Sequence, residues 1–291
     1  MRTIKRKNRW LLWLAAFLSV VCFCGQAWAF VPWSNVNGYW ISADGRSVVK
    51  GAVEKGVTIT KYQNRAGAIN WKQMALDHIS FAMVRLGYYE DLDPYFQTNM
   101  ENAESVGLKA GVCFYGEAET VQEARKEAAY VLDIVKDCRV SYPISYDVQA
   151  LADTRMTKRQ ITDVINAFCQ VIEDAGYRAA VFGDYEWLTR YVDMKEMPYD
   201  VWYSRYGIAN SFQNRTLWRC TDSGEVKGIK GSVCLEFSFE DYGKTLEGTG
   251  WREINGKTYY FDDYRMVKDT AIRIEDKLYY FDETGQGRLI K

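Results

Sequence analysis

Alternating strand and helix patterns constrain the fold of this 291-residue chain more than any other feature. Five apolar segments with strand character are each followed by a segment with helical spacing, and three strands follow without helices. Such alternation favours a mostly parallel sheet, and eight strands are enough to close a barrel. We therefore predict an α/β fold, an irregular TIM-like (β/α)5(β)3 barrel. An open doubly wound sheet is the alternative, but no GxGxxG motif follows the first strand. The predicted strands are 56–62, 79–87, 109–115, 141–149, 178–183, 200–206, 216–221 and 232–239, and the predicted helices are 69–77, 94–106, 120–137, 157–175 and 186–192.

The fourth predicted strand ends in two polar residues, Asp147 and Gln149. Residues two apart in a strand point to the same face, so these side chains are expected to project together. In barrels of this kind the functional site lies at the carboxyl ends of the strands. Six aromatic residues lie at or near such ends, where they could stack on sugar rings or fill the barrel. They are Tyr88, Tyr115, Tyr185, Trp202, Tyr206 and Trp218.

Residues 1–29 have the composition of a secretory signal peptide. Basic residues precede an apolar run from Trp10 to Cys24, and Ala27 and Ala29 are the small residues that a signal peptidase reads. We expect cleavage after Ala29 and a secreted protein without a membrane segment, and an uncleaved anchor is the alternative. Residues 30–55 are polar and contain glycine, which predicts an N-terminal extension or linker.

Charge and cysteine content exclude several classes of function. A formal net charge of -1 argues against nucleic acid as a partner. The only histidine is His78 and no CxxC motif occurs, so we predict neither a metal site nor a cofactor nor Cys–His catalysis. Cys220 and Cys234 either form a disulfide between the last two predicted strands or stay unpaired. The cysteines that follow the predicted cleavage site are Cys113, Cys138, Cys169, Cys220 and Cys234.

The C-terminal segment, residues 248–291, contains two copies of a repeat of about twenty residues. The shared core is Ile-x-(Asn/Glu)-(Gly/Asp)-Lys-x-Tyr-Tyr-Phe-Asp, which predicts a β-hairpin in each copy. The preceding segment, residues 56–243, is the predicted barrel domain. A small repeat module of stacked hairpins is therefore expected after the barrel.

Residues 56–242 resemble glycoside hydrolase family 25, the secreted lysozymes (N-acetylmuramidases) that cut peptidoglycan. Gly56 to Gln63 is similar to the family's Gly-Ile-Asp-Val-Ser-x-x-Gln, and Tyr142 to Gln149 is similar to its strand ending in Asp-x-Glu. Trp202 to Tyr206 resembles its Trp-x-Ala-x-Tyr, and Trp218 to Glu236 resembles its closing Trp-Gln-Tyr…Gly-x-Val-Asp-x-Asn. The resemblance implies a barrel of five β/α units and three final strands, in agreement with the pattern above.

The resemblance implies several active-site carboxylates, of which this chain retains only Asp147. Gln149 stands at the position of the general acid, and Thr58 stands at the Asp position of the first strand. Cys234 occupies the Asp position of the last strand, and Glu236 replaces the Asn that follows. A Gln side chain cannot deliver the proton that glycoside hydrolysis needs. We therefore expect a protein that binds peptidoglycan or a related wall glycan with impaired catalysis.

An active muramidase that uses Asp147 and a substitute acid is the alternative. Glu236 and Glu117 are the candidates for this acid, and Glu186 is a weaker one that would more readily open a helix.

The repeats resemble cell-wall-binding repeats of the choline-binding type. Choline sites in such modules use aromatic rings shared between adjacent hairpins, through cation–π attraction. Ile272 stands where a second Trp would be expected, so we predict a vestigial or packing role, with binding of choline or teichoic acid as the alternative. The aromatic residues concerned are Trp251, Tyr259, Tyr260, Tyr279 and Tyr280.

Overall fold

The structure, a computed structural model, describes residues 33–42, 48–206 and 215–291. The predicted signal peptide, residues 1–29, lies outside the described residues. The strands are β1 (Trp33–Val36), β2 (Tyr39–Ser42), β3 (Val48–Val49), β4 (Glu54–Ile59), β5 (Phe81–Tyr88), β6 (Asp91–Leu92), β7 (Lys109–Tyr115), β8 (Ile144–Asp147), β9 (Ala179–Asp184), β10 (Asp200–Ser204), β11 (Arg215–Gly224), β12 (Val233–Ser238), β13 (Gly250–Ile254), β14 (Lys257–Asp262), β15 (Arg265–Met266), β16 (Thr270–Ile274), β17 (Lys277–Phe281) and β18 (Gly287–Leu289). The helices in this part of the chain are α1 (Lys61–Ala66), α2 (Trp71–Leu76), α3 (Phe96–Ser105), α4 (Val121–Val135), α5 (Lys158–Asp174), α6 (Tyr185–Tyr191) and α7 (Tyr242–Thr245), and a 3-10 helix covers Gln149–Asp153.

Eight strands close a barrel, as predicted. Seven of them, β4, β5, β7, β8, β9, β10 and β11, are parallel to their neighbours in this order. The eighth strand, β12, is antiparallel to both β11 and β4 and closes the barrel between them. We call the end at which the seven parallel strands have their carboxyl ends the mouth, and the opposite end the lower end.

Threonine capping boxes fix where three helices begin. Glu123 N donates to Thr120 Oγ1 at 3.2 Å, and Thr120 N donates to Glu123 Oε2 at 3.0 Å. Thr157 and Gln160 form the same pair of hydrogen bonds at the start of α5, which confirms the predicted cap at Thr157. Thr60 caps α1 in this way. Each box satisfies amide groups that the first helical turn leaves without partners.

Side chains fill the barrel interior. Phe81 and Met83 of β5, Cys113 of β7, Phe182 of β9 and Trp202 of β10 belong to one buried cluster. Their strands contribute alternate residues to the interior, as the pleat requires. The interior is therefore a packed core, and a ligand is confined to the ends of the barrel.

Polar pairs and one short helix close the lower end. The Tyr242 side chain of α7 is fully buried, and its hydroxyl donates to Asp200 Oδ2 at 2.7 Å. Beside it, Lys109 Nζ lies 2.7 Å from Glu54 Oε1, and the Tyr142 hydroxyl donates to the same carboxylate. These contacts leave the mouth as the end at which a site can form.

The N-terminal sheet, β1 to β3, covers a part of the barrel that has no helix. The Trp33 and Trp40 rings pack edge-on against Phe237 of β12, at 5.4 and 5.6 Å between ring centroids. Lys55 Nζ lies 5.4 Å from the Trp40 ring. Residues 30–55, which the sequence analysis treats as an extension or linker, thus contain ordered strands that bury apolar surface of the last barrel strand.

The first repeat hairpin, β13 and β14, is docked against the outside of the barrel. Its Arg252 is buried and lies 4.7 Å from the Tyr177 ring, which precedes β9. Arg139 Nη2 forms an ion pair with Asp263 at 2.8 Å, and Asn255 Nδ2 donates to the Ala129 carbonyl at 3.0 Å. The hairpin is therefore joined to the barrel by a buried side chain and by polar contacts around it.

The register of the two hairpins corrects the alignment of the repeats. Trp251 pairs with Tyr260 in the first hairpin, and Ala271 pairs with Tyr280 in the second. The residue equivalent to Trp251 is therefore Ala271, and the prediction that Ile272 takes its place is wrong. The second hairpin thus has no aromatic ring at this position.

The fourth barrel strand is shorter than predicted, and this changes the setting of Gln149. Strand β8 ends at Asp147, and Gln149 begins the 3-10 helix. The backbone N of Gln149 donates to Asp147 Oδ1 at 3.2 Å, which turns the chain out of the strand. The expectation that both residues share one face of a strand is therefore wrong, although their side chains still meet.

The cysteines of the described chain are unpaired. Cys234 lies beside Glu236 on the inward face of β12, opposite Thr58. Cys220 lies at an irregularity in the pairing of β11 with β12, directly after Arg219. Both thiols are free, so the disulfide considered from the sequence does not form.

Replacing Trp40 with Ala is expected to lower the free energy of unfolding by about 3 kcal/mol, because it empties a buried contact against the barrel. Denaturation by urea measures this loss. The neighbouring Tyr39 is exposed, so Tyr39→Ala should change stability by less than about 0.5 kcal/mol and serves as the matched control. Equal small losses in both variants would contradict the covering role of the sheet.

Candidate functional site

Asp147 and Gln149 lie at the mouth, as the sequence predicts. Asp147 is 6% exposed, and Gln149 Nε2 donates to its Oδ1 at 3.3 Å. Gln149 Oε1 accepts a hydrogen bond from the backbone N of Asp184, at 2.8 Å, at the end of the neighbouring strand. The amide of Gln149 thereby links the ends of β8 and β9.

Burial changes the acidity of Asp147. It raises the pKa of this carboxyl to about 6, while hydrogen bonds from Gln149 and the charge of Arg219 act in the opposite direction. A carboxylate with this pKa is ionised at neutral pH but carries a proton in an increasing share of molecules below about pH 6. Strongly shifted carboxyl groups at the end of a barrel are typical of functional sites.

A second carboxylate, Glu236, is buried in a network of hydrogen bonds. Its side chain is 0% exposed and accepts from Thr58 Oγ1 at 2.6 Å and from Trp202 Nε1 at 2.8 Å. Arg219 Nε donates to it at 2.9 Å and Arg219 Nη2 donates to Thr58 Oγ1 at 2.9 Å. Glu236 is therefore paired with a cation and shielded from solvent.

The structure places Thr58 and Cys234 directly opposite each other on β4 and β12. These are the two positions at which the resemblance implies further Asp residues. The Thr58 hydroxyl does not ionise at neutral pH. Burial raises the pKa of Cys234 to about 11, so its thiol is uncharged as well. Asp147 and Glu236 are thus the carboxylates of this cluster.

Aromatic side chains surround one side of the mouth. Tyr115 lies opposite Asp147 in the pairing of β7 with β8, and its ring lies 5.2 Å from that of Tyr88. Arg85 lies 5.3 Å from the Tyr88 ring and is held by an ion pair of 3.4 Å with buried Asp93. The predicted residues Tyr88 and Tyr115 are therefore brought together beside Asp147.

The other side of the mouth contains Tyr185 and Tyr206. The guanidinium of Arg205 lies 4.2 Å from the Tyr185 ring, and Tyr206 is exposed. Two more exposed tyrosines follow the ends of β4 and β5, namely Tyr62 and Tyr89. Neither is among the residues predicted from the sequence, although Tyr62 ends the first predicted strand and Tyr89 closely follows the second.

The two tryptophans predicted at the mouth have different settings. Trp202 forms part of its floor, where its indole N–H donates to Glu236. Trp218 is 1% exposed and packs between Tyr203 and Phe237 on the outer side of the barrel. Its ring has no free surface for a sugar, so the structure does not fit the expected stacking role of Trp218.

The other acidic candidates are exposed and lie outside this buried cluster. Glu117 follows β7, and its backbone N donates to the Glu127 side chain at 2.9 Å. Glu186 lies in the first turn of α6, where a negative charge stabilises the helix, as expected from the sequence.

Aromatic residues of the repeats pack against one another across the two hairpins. Trp251 lies 5.1 Å from Tyr260 and 5.3 Å from Tyr279, in edge-to-face geometry. Tyr259 is buried on the opposite face of its hairpin, and Tyr280 lies 5.4 Å from the guanidinium of Arg288. Three of the predicted aromatic residues thus meet, and the other two point elsewhere.

Within the described residues, no cluster of three or more His, Cys, Asp or Glu side chains is arranged to hold a metal ion. No helix in the same part of the chain is long and apolar enough to cross a membrane.

Family comparisons agree with this geometry. The family model for glycosyl hydrolases family 25 matches residues 57–229, which is more than half of the chain. This protein therefore belongs to glycosyl hydrolases family 25. A second model, the choline-binding repeat, matches residues 248–289. The comparison with curated proteins finds no match.

Solved structures share the fold at low sequence identity. The modular autolysin LytC from Streptococcus pneumoniae, solved with a synthetic peptidoglycan ligand, is 24% identical over 71% of this chain and 52% of its own, with a TM-score of 0.62. The spore cortex lytic enzyme SleM of Clostridium perfringens is 15% identical over 80% of this chain and 94% of its own, with a TM-score of 0.58. A family 25 glycosyl hydrolase from Bacillus anthracis is 17% identical over 67% and 92%, with a TM-score of 0.56. The present chain spans about half the length of the autolysin.

Asp147→Asn is expected to stabilise the fold by about 2–3 kcal/mol near pH 7.5, and this gain should disappear towards about pH 4. The pKa of Asp147 is raised to about 6 in the folded state, so folding is coupled to proton uptake. The stability from this proton is complete below the ordinary carboxyl pKa and is lost as the pH rises through about 6. Thermal unfolding across this pH range measures the effect.

Asp276→Asn is the matched control, because Asp276 is exposed and Asn also tolerates its positive φ. Its stability relative to the wild type should vary little with pH. A gain for Asp147→Asn that is the same at acidic and neutral pH would contradict the proposed burial of charge.

Proposed function

We propose that this protein binds peptidoglycan or a related cell-wall glycan at the mouth of its barrel and cleaves it slowly or not at all. The observation that carries this proposal is the amide of Gln149 at the position that the resemblance gives to the general acid. Its two polar atoms are both engaged, one with Asp147 and one with the backbone of Asp184.

Gln149 forms the hydrogen bonds that a protonated Glu would form at this position, but it cannot donate a proton to a substrate. A neutral Glu would donate an O–H to Asp147 where Gln149 donates an N–H. An amide does not release this proton at any useful pH, and general acid catalysis contributes roughly 10²–10⁴-fold to such reactions. The arrangement supports binding of an intact glycan and disfavours protonation of the leaving oxygen.

Glu236 is a poor substitute for the missing acid. Its oxygens accept three hydrogen bonds, from Thr58, Trp202 and Arg219, and no part of its side chain reaches the surface. A proton donor must come within hydrogen-bond distance of the glycosidic oxygen. Glu236 would have to break its ion pair to do so, and this would leave the Arg219 charge buried without a partner.

Retention of Asp147 supports binding at the mouth. An ionised carboxylate with so little exposure opposes folding at neutral pH, and its pKa is raised accordingly. A ligand that donates hydrogen bonds to this carboxylate would offset the cost of its burial. The tyrosines around it, Tyr88, Tyr115 and Tyr206, supply rings that can stack on sugars.

We further propose that the protein acts outside the cell, at the cell wall. The signal peptide predicted for residues 1–29 and the repeat segment support this location. For the repeats we propose a packing role, because the ring centroids of Trp251, Tyr260 and Tyr279 lie so close that the rings contact one another. A trimethylammonium group would have to separate them.

The second candidate function is an N-acetylmuramidase that cuts the MurNAc-GlcNAc β-1,4 bond with Asp147 and a substitute acid. The raised pKa of Asp147 favours it in one respect, since a carboxyl with a pKa of about 6 carries a proton in part of the molecules under mildly acidic conditions.

Insoluble peptidoglycan distinguishes the two functions. We expect the wild type to sediment with it and to release almost no soluble sugar, whereas Gln149→Glu should release at least about tenfold more because a proton donor returns. Gln160→Glu makes the same chemical change in a capping box that accepts Glu equally well, and should behave as the wild type. Wild-type turnover typical of muramidases, lost in Asp147→Asn, would overturn the impaired-enzyme proposal.

The packing role of the repeats has its own test on a choline-derivatised matrix. Trp251→Ala should lower the melting temperature, because Trp251 contacts both hairpins, while the wild type should show no retention that free choline reverses. Thr258→Ala, an exposed change in the same hairpin, is the control. Choline-reversible retention that is lost in Trp251→Ala would favour a choline site.

A further inference from the structure

Arg219 lies in the floor of the mouth, where it donates to the buried carboxylate of Glu236 and packs on Phe182, the residue paired with Asp147 across β8 and β9. Its guanidinium lies 4.4 Å from the Phe182 ring and 4.7 Å from the Trp202 ring. Its side chain is 12% exposed, whereas that of Glu236 is 0% exposed. The charge of Arg219 also lowers the pKa of Asp147. The guanidinium therefore faces the buried carboxylate on one side and the mouth on the other.

Hydrogen bonding leaves part of this guanidinium available. An Arg side chain has five N–H donors. Arg219 directs its Nε–H to Glu236 and one Nη2–H to Thr58. Its Nη1 forms no hydrogen bond within the described residues and is not among their buried, unpartnered atoms. The N–H groups of Nη1 are thus open to solvent or to a ligand.

A contribution to folding stability does not account for the buried ion pair between Arg219 and Glu236. Removing two charges from water opposes folding by several kcal/mol, and replacing such a pair by apolar residues is often neutral or stabilising, by roughly 1–4 kcal/mol. Although burial disfavours the charged form, Glu236 keeps the pKa of Arg219 above its ordinary value, so the charge persists. A guanidinium held rigidly in a partly open site is suited to bind oxygen atoms.

We propose that Arg219 is a ligand-contacting residue of the mouth, and that it acts with Asp147 to bind one edge of a sugar ring. The free N–H groups of Arg219 donate to a ring substituent oxygen, and the Asp147 carboxylate accepts from a neighbouring O–H or N–H group of the same sugar. This inference rests on the proposed glycan binding and extends it to a residue that the catalytic positions of the family do not include.

The charges of the cluster define the class of ligand. Arg219, Glu236 and Asp147 carry a net charge of -1 when all three are ionised. A carboxylate or phosphate placed against Arg219 would be repelled by the other two groups. The site therefore favours an uncharged pyranose with an acceptor and a donor on adjacent carbons. Since a guanidinium does not release its proton, this contact holds the sugar without promoting cleavage.

The test replaces the ion pair as a unit. In Arg219→Gln/Glu236→Gln both charges disappear together, so neither is left buried alone. We expect the affinity for insoluble peptidoglycan, measured by sedimentation, to fall by at least about tenfold, as for the loss of a charged hydrogen bond. Circular dichroism and the melting temperature establish that the variant is folded.

The lower end of the barrel offers a matched control. Glu54 and Lys109 also form a partly buried ion pair, at 2.7 Å, but at the opposite end of the same barrel. Glu54→Gln/Lys109→Gln should bind peptidoglycan as the wild type does. If it weakens binding as much as the Arg219 variant, the effect belongs to stability and the proposal fails.

Two further outcomes separate this inference from the proposed function. Absence of binding by the wild type would overturn both. Binding by the wild type and equally by a folded Arg219→Gln/Glu236→Gln variant would overturn the role of Arg219 alone. If that variant does not fold, Arg219→Met/Glu236→Leu replaces it, because apolar pairs are tolerated at buried ion-pair positions. Undiminished binding by this second variant would equally reject the proposal.

Discussion

The antiparallel pairing of β12 with β4 is the constraint on which the rest of the structure depends. It joins the last barrel strand to the first and places Cys234 opposite Thr58. It brings Glu236 within 2.6 Å of Thr58 and within 2.9 Å of Arg219, so the polar floor of the mouth exists only in the closed barrel. The outward face of the same strand presents Phe237, which the N-terminal sheet covers. Closure, site and N-terminal sheet are thus parts of one arrangement.

The substitutions at the mouth are consistent with one another in physical terms. A site that transfers protons needs carboxyl groups whose pKa values differ and which reach the substrate. At the positions where the resemblance implies such groups, this chain has the amide of Gln149 and the neutral side chains of Thr58 and Cys234, and Glu236 is bound to Arg219. Asp147 remains as the carboxylate next to the tyrosines. Under the function proposed above, such a mouth would hold a sugar without the paired carboxyl groups that cut one.

Most of the fold could be predicted from the sequence, because its strands and helices have strong periodicity and clear caps. The eight strands, the cap at Thr157 and the place of Asp147 are confirmed. The N-terminal strands were missed because they are only two to four residues long and too short to show a period. Gln149 was assigned to a strand because its turn depends on a local hydrogen bond to Asp147 that periodicity does not reveal.

The candidate site was predictable in part, for a different reason. The sequence indicated Asp147, Gln149 and two tyrosines that meet, Tyr88 and Tyr115. It could not indicate Arg219, whose hydrogen-bond partners lie 17 and 161 residues away in the chain. Trp218 was misplaced because a single tryptophan at a strand end can point to either face. Positions in the chain fix which strand a residue belongs to, but long-range packing decides what it contacts.

The closing pairing has a consequence for how the chain folds. Thr58 and Glu236 are in contact although 178 residues separate them in the sequence. Contacts between distant residues require large loops to be ordered before they contribute, and proteins dominated by them fold slowly. The N-terminal sheet, which packs on Phe237, has no surface to pack against until β12 is in place. Until then its apolar side chains are open to other chains, so this protein is expected to depend on assistance or low concentration while it folds.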